Sequence, residues 1–154
     1  MDRISFAING EATAFFELAK REYKSYSYNV EKINEKEFYK MIPIIVNFAL
    51  SIELFLKGFQ DTTRGHDLKK LFLNTPEWVQ QIITERFIVQ FQITYNTVIS
   101  EKEFFSLLKA NSLAFEDWRY YYERGNSVSI SFLYIMAKVL NSLYTTILGR
   151  LKQT

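Results

Sequence analysis

Apolar residues recur along this chain at three- and four-residue steps, in stretches separated by short runs rich in turn and capping residues. That period is the mark of amphipathic α-helices. Ala7 to Tyr28 reads as a first helix, its stripe of Phe15, Leu18 and Ala19 giving way to the polar, tyrosine-rich Glu22 to Tyr28. Asn34 to Glu37 has the spacing of an N-terminal cap, the asparagine side chain taking a free backbone N–H and the glutamate reaching back. Phe38, Met41, Ile42, Ile45, Phe48, Ala49, Ile52, Leu56 and Phe59 then follow at mostly helical steps. Proline is welcome in a first turn and kinks a helix interior, so Pro43 puts the expected start near Met41. Ile44, Val46, Leu50, Leu54 and Phe55 fill the remaining faces. A helix apolar nearly all round is the one the others pack against.

Gly58 and the polar run Gln60 to Gly65 end this helix, and Asp67 to Leu73 reads as a short one with Asp67 or His66 near its cap. Thr75-Pro76 opens the next, threonine as cap and proline as first residue, with Trp78, Ile82, Ile83, Phe87 and Phe91 in the stripe. From Phe87 to Ile99 the β-branched and aromatic residues have strand-like propensity. No second strand is visible for them to pair with, so this stretch too is expected to be helical. Ser100 to Glu103 is a capping box leading into Phe104, Leu107 and Leu108. Asn111 or Ser112 is placed to cap Ala114 to Glu123, and the polar loop Arg124 to Ser127 precedes a long last helix. That helix carries Phe132, Met136, Val139, Leu140, Leu143, Ile147 and Leu151 in its stripe. Without repeats, low-complexity tracts or linkers, residues 1–154 read as a single all-α domain.

Composition sharpens this picture. At 154 residues, 48% apolar and 17% aromatic, the chain can fill one core and is unlike a disordered one. Only 5 Gly and 2 Pro favour long helices over a many-turned β architecture. Nineteen basic against seventeen acidic residues leave +2, too little to point to bulk nucleic-acid binding, though a local patch stays open. With no cysteine, disulfides, thiol nucleophiles and thiolate metal sites are excluded. The first fifteen residues lack the basic start and apolar run of a signal peptide, so a cytoplasmic location is expected. Asn47, Ser51, Glu53 and Lys57 interrupt the apolar run Met41 to Phe59, which therefore reads as a core helix with no role in a membrane.

Three places carry candidate chemistry. Glu53 and Lys57 stand four residues apart in the favourable order for an ion pair on an otherwise apolar helix. They are either a structural pair satisfying a buried charge or a polar spot in a cleft that helps place a ligand or an arginine. His66 is the only histidine, so any histidine acid–base chemistry must use it. Its place between a glycine break and a short helix also suits a plainer role, bonding backbone groups left open at the helix start. Arg119 lies among tyrosines in Trp118 to Arg124. On a helix Phe115, Arg119 and Glu123 share a face with Tyr122 beside them, a set fit for phosphate or base contacts. The same set also fits an arginine tethered to Glu53 or Glu123, with tyrosines filling a core. No glycine-rich phosphate loop, nucleophile elbow or zinc-type cluster is present, so no cofactor or metal is expected.

The proline-opened helix with Asn47, Ile52-Glu53-Leu54 and Lys57, the turn Arg64-Gly65-His66-Asp67-Leu68, and Trp118-Arg119-Tyr120 to Glu123 together resemble the HEPN superfamily of small helical domains. The resemblance covers roughly Met41 to Glu123. It implies an antiparallel, up-and-down bundle of four to five main helices plus short ones, commonly a homodimer, in a superfamily rich in RNA-cutting toxins and in phage-defence and stress-response proteins. HEPN ribonucleases carry an arginine, four to six residues and then a histidine on a late helix. Here no histidine follows Arg119 or Arg124, and Asn126 stands where one would be sought after Arg119. An asparagine cannot shuttle a proton near neutral pH. The reading is therefore a non-catalytic HEPN-like module that binds RNA, a nucleotide or a partner protein, with Glu53, Lys57, Arg119, Tyr122 and Glu123 as its ligand-binding residues. The alternative is a divergent metal-independent ribonuclease in which Arg119 and His66, or a tyrosine, supply the chemistry. A third reading, a scaffold or antitoxin-like subunit, makes the tyrosines an interface.

Overall fold

A computed structural model describes residues 3–27, 39–60, 64–114 and 129–152. They form six helices: α1 (Arg3–Ser27), α2 (Met41–Lys57), α3 (Leu68–Leu73), α4 (Glu77–Tyr95), α5 (Glu101–Ala110) and α6 (Ile130–Lys152). No strand occurs among the described residues, and the all-α bundle expected from the periodicity is what forms. The cap expected at Asn34–Glu37 lies outside the described residues. So do Arg119, Tyr122, Glu123 and the loop Arg124 to Ser127.

Helix α2 begins at Met41, so Pro43 falls in the first turn and costs no internal hydrogen bond. Phe48, Ala49, Ile52, Phe55 and Leu56 are fully buried, and α2 packs against α1, α3 and α6. Ser51, one of the polar breaks in its apolar run, donates to the Ala12 carbonyl of α1 at 2.8 Å. The second central helix is α6, which packs on α1, α2 and α4. Its segment Ile130–Ile147 is long and apolar enough to cross a membrane by length and composition, yet 56% of that segment is buried inside the bundle. The whole run Phe132 to Ala137 is buried, so the core itself accounts for that apolarity.

Rings knit the layers together. Phe104 of α5 sits 4.9 Å from Phe87 of α4 and 5.7 Å from Phe72 of α3, while Phe87 lies 5.4 Å from Phe132 of α6. Tyr144 of α6 stacks on Phe55 at 5.0 Å and donates its hydroxyl to the Phe55 carbonyl at 2.7 Å. Burial pushes the Tyr144 phenol well above its ordinary range. Tyr95 and Tyr23 meet at 3.3 Å between their hydroxyls, and burial followed by that contact raises the Tyr95 phenol as well.

Most helix ends follow the capping rules. The Asp67 carboxylate accepts the Lys70 N–H at 3.1 Å, and the Ser100 hydroxyl oxygen accepts the Glu103 N–H at 3.1 Å. The strand-like stretch after Phe87 is helical as far as Tyr95, where Asn96 at φ 52° closes it in the left-handed region that asparagine tolerates. One helix start differs from expectation. α4 starts at Glu77, and the Thr75 hydroxyl donates backward to the Phe72 carbonyl at 2.6 Å instead of capping α4. Asn74, Thr75 and Pro76 are all that separates the two helices, so Thr75 still belongs to the turn that ends α3. Asn111 and Ser112 lie at the end of α5, and the helix they were expected to cap lies, from residue 115 on, outside the described residues. Asn111 donates to the Leu107 carbonyl at 2.8 Å and accepts the Ser129 N–H at 2.8 Å, joining α5 to the start of α6, while Ser112 donates to the Lys109 carbonyl at 2.9 Å.

Candidate functional site

The polar centre of the molecule starts from one turn of α2. Glu53 and Lys57 point the same way, and Lys57 Nζ donates to Glu53 Oε1 at 2.7 Å. Their side chains are only 4% and 9% exposed, so the pair sits in the low-dielectric interior where an unpaired charge is costly. The chain then turns back. Gly65 adopts φ 95°, a conformation that residues with a side chain rarely take. Beyond it His66 is brought over α2, with Nδ1 at 3.0 Å from both Oε1 and Oε2 of Glu53. The Leu68 N–H, bonded to the Ser112 carbonyl at 2.8 Å, anchors the start of α3 against the end of α5. Gln60 fastens the other side, its amide donating to the Leu56 carbonyl at 2.9 Å and the Leu71 carbonyl at 2.7 Å.

Lys57, Glu53 and His66 therefore form one chain of contacts running outward from the core. One carboxylate serves both nitrogen partners. When Nδ1–H donates to Glu53, the imidazole is held in the tautomer that leaves Nε2 as the other ring nitrogen. The His66 side chain is 49% exposed, so the cluster has a buried anionic root and a solvent-reaching tip. Such an arrangement can orient an imidazole for binding or for proton transfer. It can equally fix the turn that carries its neighbours, since Arg64 and Lys70 are exposed and Lys69 is half-buried beside it. Asp67, the single acid in this tract, is occupied with the Lys70 N–H.

Of the residues singled out in the sequence, Glu53 and Lys57 are together as the helix spacing implies. His66, read as a separate feature, joins them. The helix start that His66 was placed to cap is capped by Asp67. Arg119, Tyr122 and Glu123 lie outside the described residues. Among the described residues no three His, Cys, Asp or Glu side chains are grouped as a metal site. His66 stood out as the only histidine; the signal that could have joined it to α2 is the lone acid in that apolar helix. Glu53 needs partners, and the turn is short enough to fold back and supply one. Compared with protein-family models, curated proteins and solved structures, the chain gives no match.

Proposed function

We propose that this chain is a non-catalytic HEPN-like module that binds RNA through the cationic turn around His66, acting as a cytoplasmic homodimer in stress response or phage defence. The observation that carries the reading is the buried Glu53, which clamps His66 and Lys57 and so fixes a turn bearing Arg64, His66, Lys69 and Lys70 against one helix-capping aspartate. A rigid cationic turn suits phosphate oxygens, because backbone phosphates supply most of the affinity of nucleic-acid binding. Arg119, with its neighbouring tyrosines, extends the same chemistry to stacked bases. The resemblance of the α2 and His66 motifs to HEPN domains supplies the biological setting. The missing histidine after Arg119 is why binding is preferred to cleavage.

One observation favours a second reading, a divergent metal-independent ribonuclease. His66 is oriented by a carboxylate and reaches solvent, as an acid–base residue needs to.

The test incubates the purified protein with labelled total RNA in the presence of a chelator and follows retention and cleavage together. Retention without cleavage, weakened in Lys69→Ala/Lys70→Ala and in Arg119→Ala, supports the binding module. The lysine pair is expected to lower the slope of log affinity against log salt by about 1.5–2. Cleavage that disappears in His66→Ala, with the fold intact, replaces the first reading by the second. Neither retention nor cleavage overturns both.

A further inference from the structure

Helices α4 and α6 pack through Phe87 and Phe132, and beside that contact they part to leave an open groove of about 590 Å³. Glu85, Arg86, Val89 and Gln90 line it from α4, with Lys138, Val139 and Ser142 among the residues of α6. The residues repeat at four-residue steps on each helix, so one face of α4 meets the polar edge of an otherwise apolar α6. Val139 is buried and forms apolar wall, with Val89 exposed opposite.

The charges here are unusual. Arg86 and Lys138 are both half-buried, and among the described residues neither has a carboxylate within ion-pair distance. Lys138 Nζ lies only over the Tyr134 ring, 6.0 Å from its centre. Glu85, adjacent to Arg86 in sequence, accepts a hydrogen bond from Gln81 at 3.2 Å. Two half-buried cations that line one groove without a paired carboxylate leave a place for an anion to join them. The planar fork of an arginine and the point charge of a lysine are the pair of groups that phosphate oxygens accept from. The groove falls within the 300–1,000 Å³ range of small-molecule sites, room for a ligand up to about mononucleotide size.

We propose that the α4–α6 groove binds a small organic phosphate. Arg86 and Lys138 hold the phosphate oxygens, Gln90 and Ser142 supply neutral hydrogen bonds, and Val89 and Val139 contact the organic part. The site shares no residue with the Glu53–Lys57–His66 cluster and stands or falls independently of RNA binding.

The experiment titrates the full chain with inorganic phosphate, adenosine 5′-monophosphate and acetate at constant ionic strength, by calorimetry and by amide chemical shifts. Saturable binding of phosphate or the nucleotide, with shifts centred on α4 and α6, is the expected result. Arg86→Gln and Lys138→Gln are each expected to weaken it about tenfold or more, since a hydrogen bond to a charged group is worth roughly 1.5–3 kcal/mol. Arg86→Lys, which keeps the charge and loses the fork, recovers part of the affinity and guards against a misfolded glutamine variant. Shifts on phosphate addition that fall on α4 and α6 and spare Leu68–Leu73 of α3 separate this site from the RNA-binding turn. The proposal is overturned if no probe saturates, if acetate binds as well as phosphate, or if binding survives both glutamine substitutions.

Discussion

The buried pair Glu53–Lys57 offers the sharpest test of how this fold tolerates charge in its core. Glu53→Leu removes the acid while roughly keeping its volume. The Lys57 ammonium, on a side chain only 9% exposed, then has no counter-ion where water cannot replace one. Removing one partner of a buried pair costs about 3–5 kcal/mol. Whole domains are stable by about 5–15 kcal/mol, so the loss is a large share of the total. For a chain of this length each kcal/mol moves Tm by about 2–4 °C, which gives a drop of about 6–20 °C. Lys57→Met is expected to destabilise for the reciprocal reason, leaving Glu53 with His66 alone. The double variant Glu53→Leu/Lys57→Met should recover to within about 1 kcal/mol of the parent, because a well-packed apolar pair commonly equals or exceeds a buried ion pair. His66 loses its partner in the double variant, but its half-exposed ring can be hydrated. Urea denaturation at pH 7 reads all four proteins, and a shift in midpoint at constant slope isolates stability from changes in compactness. A Glu53→Leu loss below about 1 kcal/mol, the level of a surface ion pair, would refute the reasoning. So would a double variant as unstable as the sum of the singles.

Three further outcomes follow from particular contacts. Tyr144→Phe removes the 2.7 Å bond to the Phe55 carbonyl and should cost about 1 kcal/mol at pH 7. Because burial raises the Tyr144 phenol in the folded state, the unfolded chain loses that proton first. Stability should therefore hold below about pH 10 and decline above it, by up to about 1.4 kcal/mol per pH unit for this group. Tyr144→Phe flattens that alkaline limb in denaturation curves taken from pH 7 to 11, and an unchanged limb would show that burial of this phenol is not its source. Asn111→Ala strips both the Leu107 and Ser129 bonds from a residue 1% exposed, and should destabilise by about 1–3 kcal/mol in chemical denaturation. Phe104→Ala opens the ring cluster joining α3, α4 and α5 and is expected to cost about 3–5 kcal/mol, read as a lower thermal midpoint.

Features governed by neighbours along the chain are legible in the sequence itself. Pro43 fixes the start of α2, Ser100 caps α5 through the Glu103 N–H, and the apolar faces around Phe48 and Ile52 identify the central helix. The Glu53–Lys57 pair belongs here too, because helix geometry alone puts residues i and i+4 within reach. Where caps compete, local rules name the right residue types and miss the partners. Thr75 turns back to α3 and Asn111 forward to Ser129, since which carbonyl or N–H lies nearest depends on how tightly two helices are joined.

The chain by itself thus determined an all-α architecture, the boundaries of the described helices to within a few residues, and one ionic pair, all from interactions a few residues long. Only tertiary structure decided that His66 would rest on Glu53 thirteen residues away, and that Arg86 and Lys138 would line one groove. Both depend on where a glycine turn or a helix crossing places a side chain in space. That placement is set by the packing of the whole core, which no local spacing encodes.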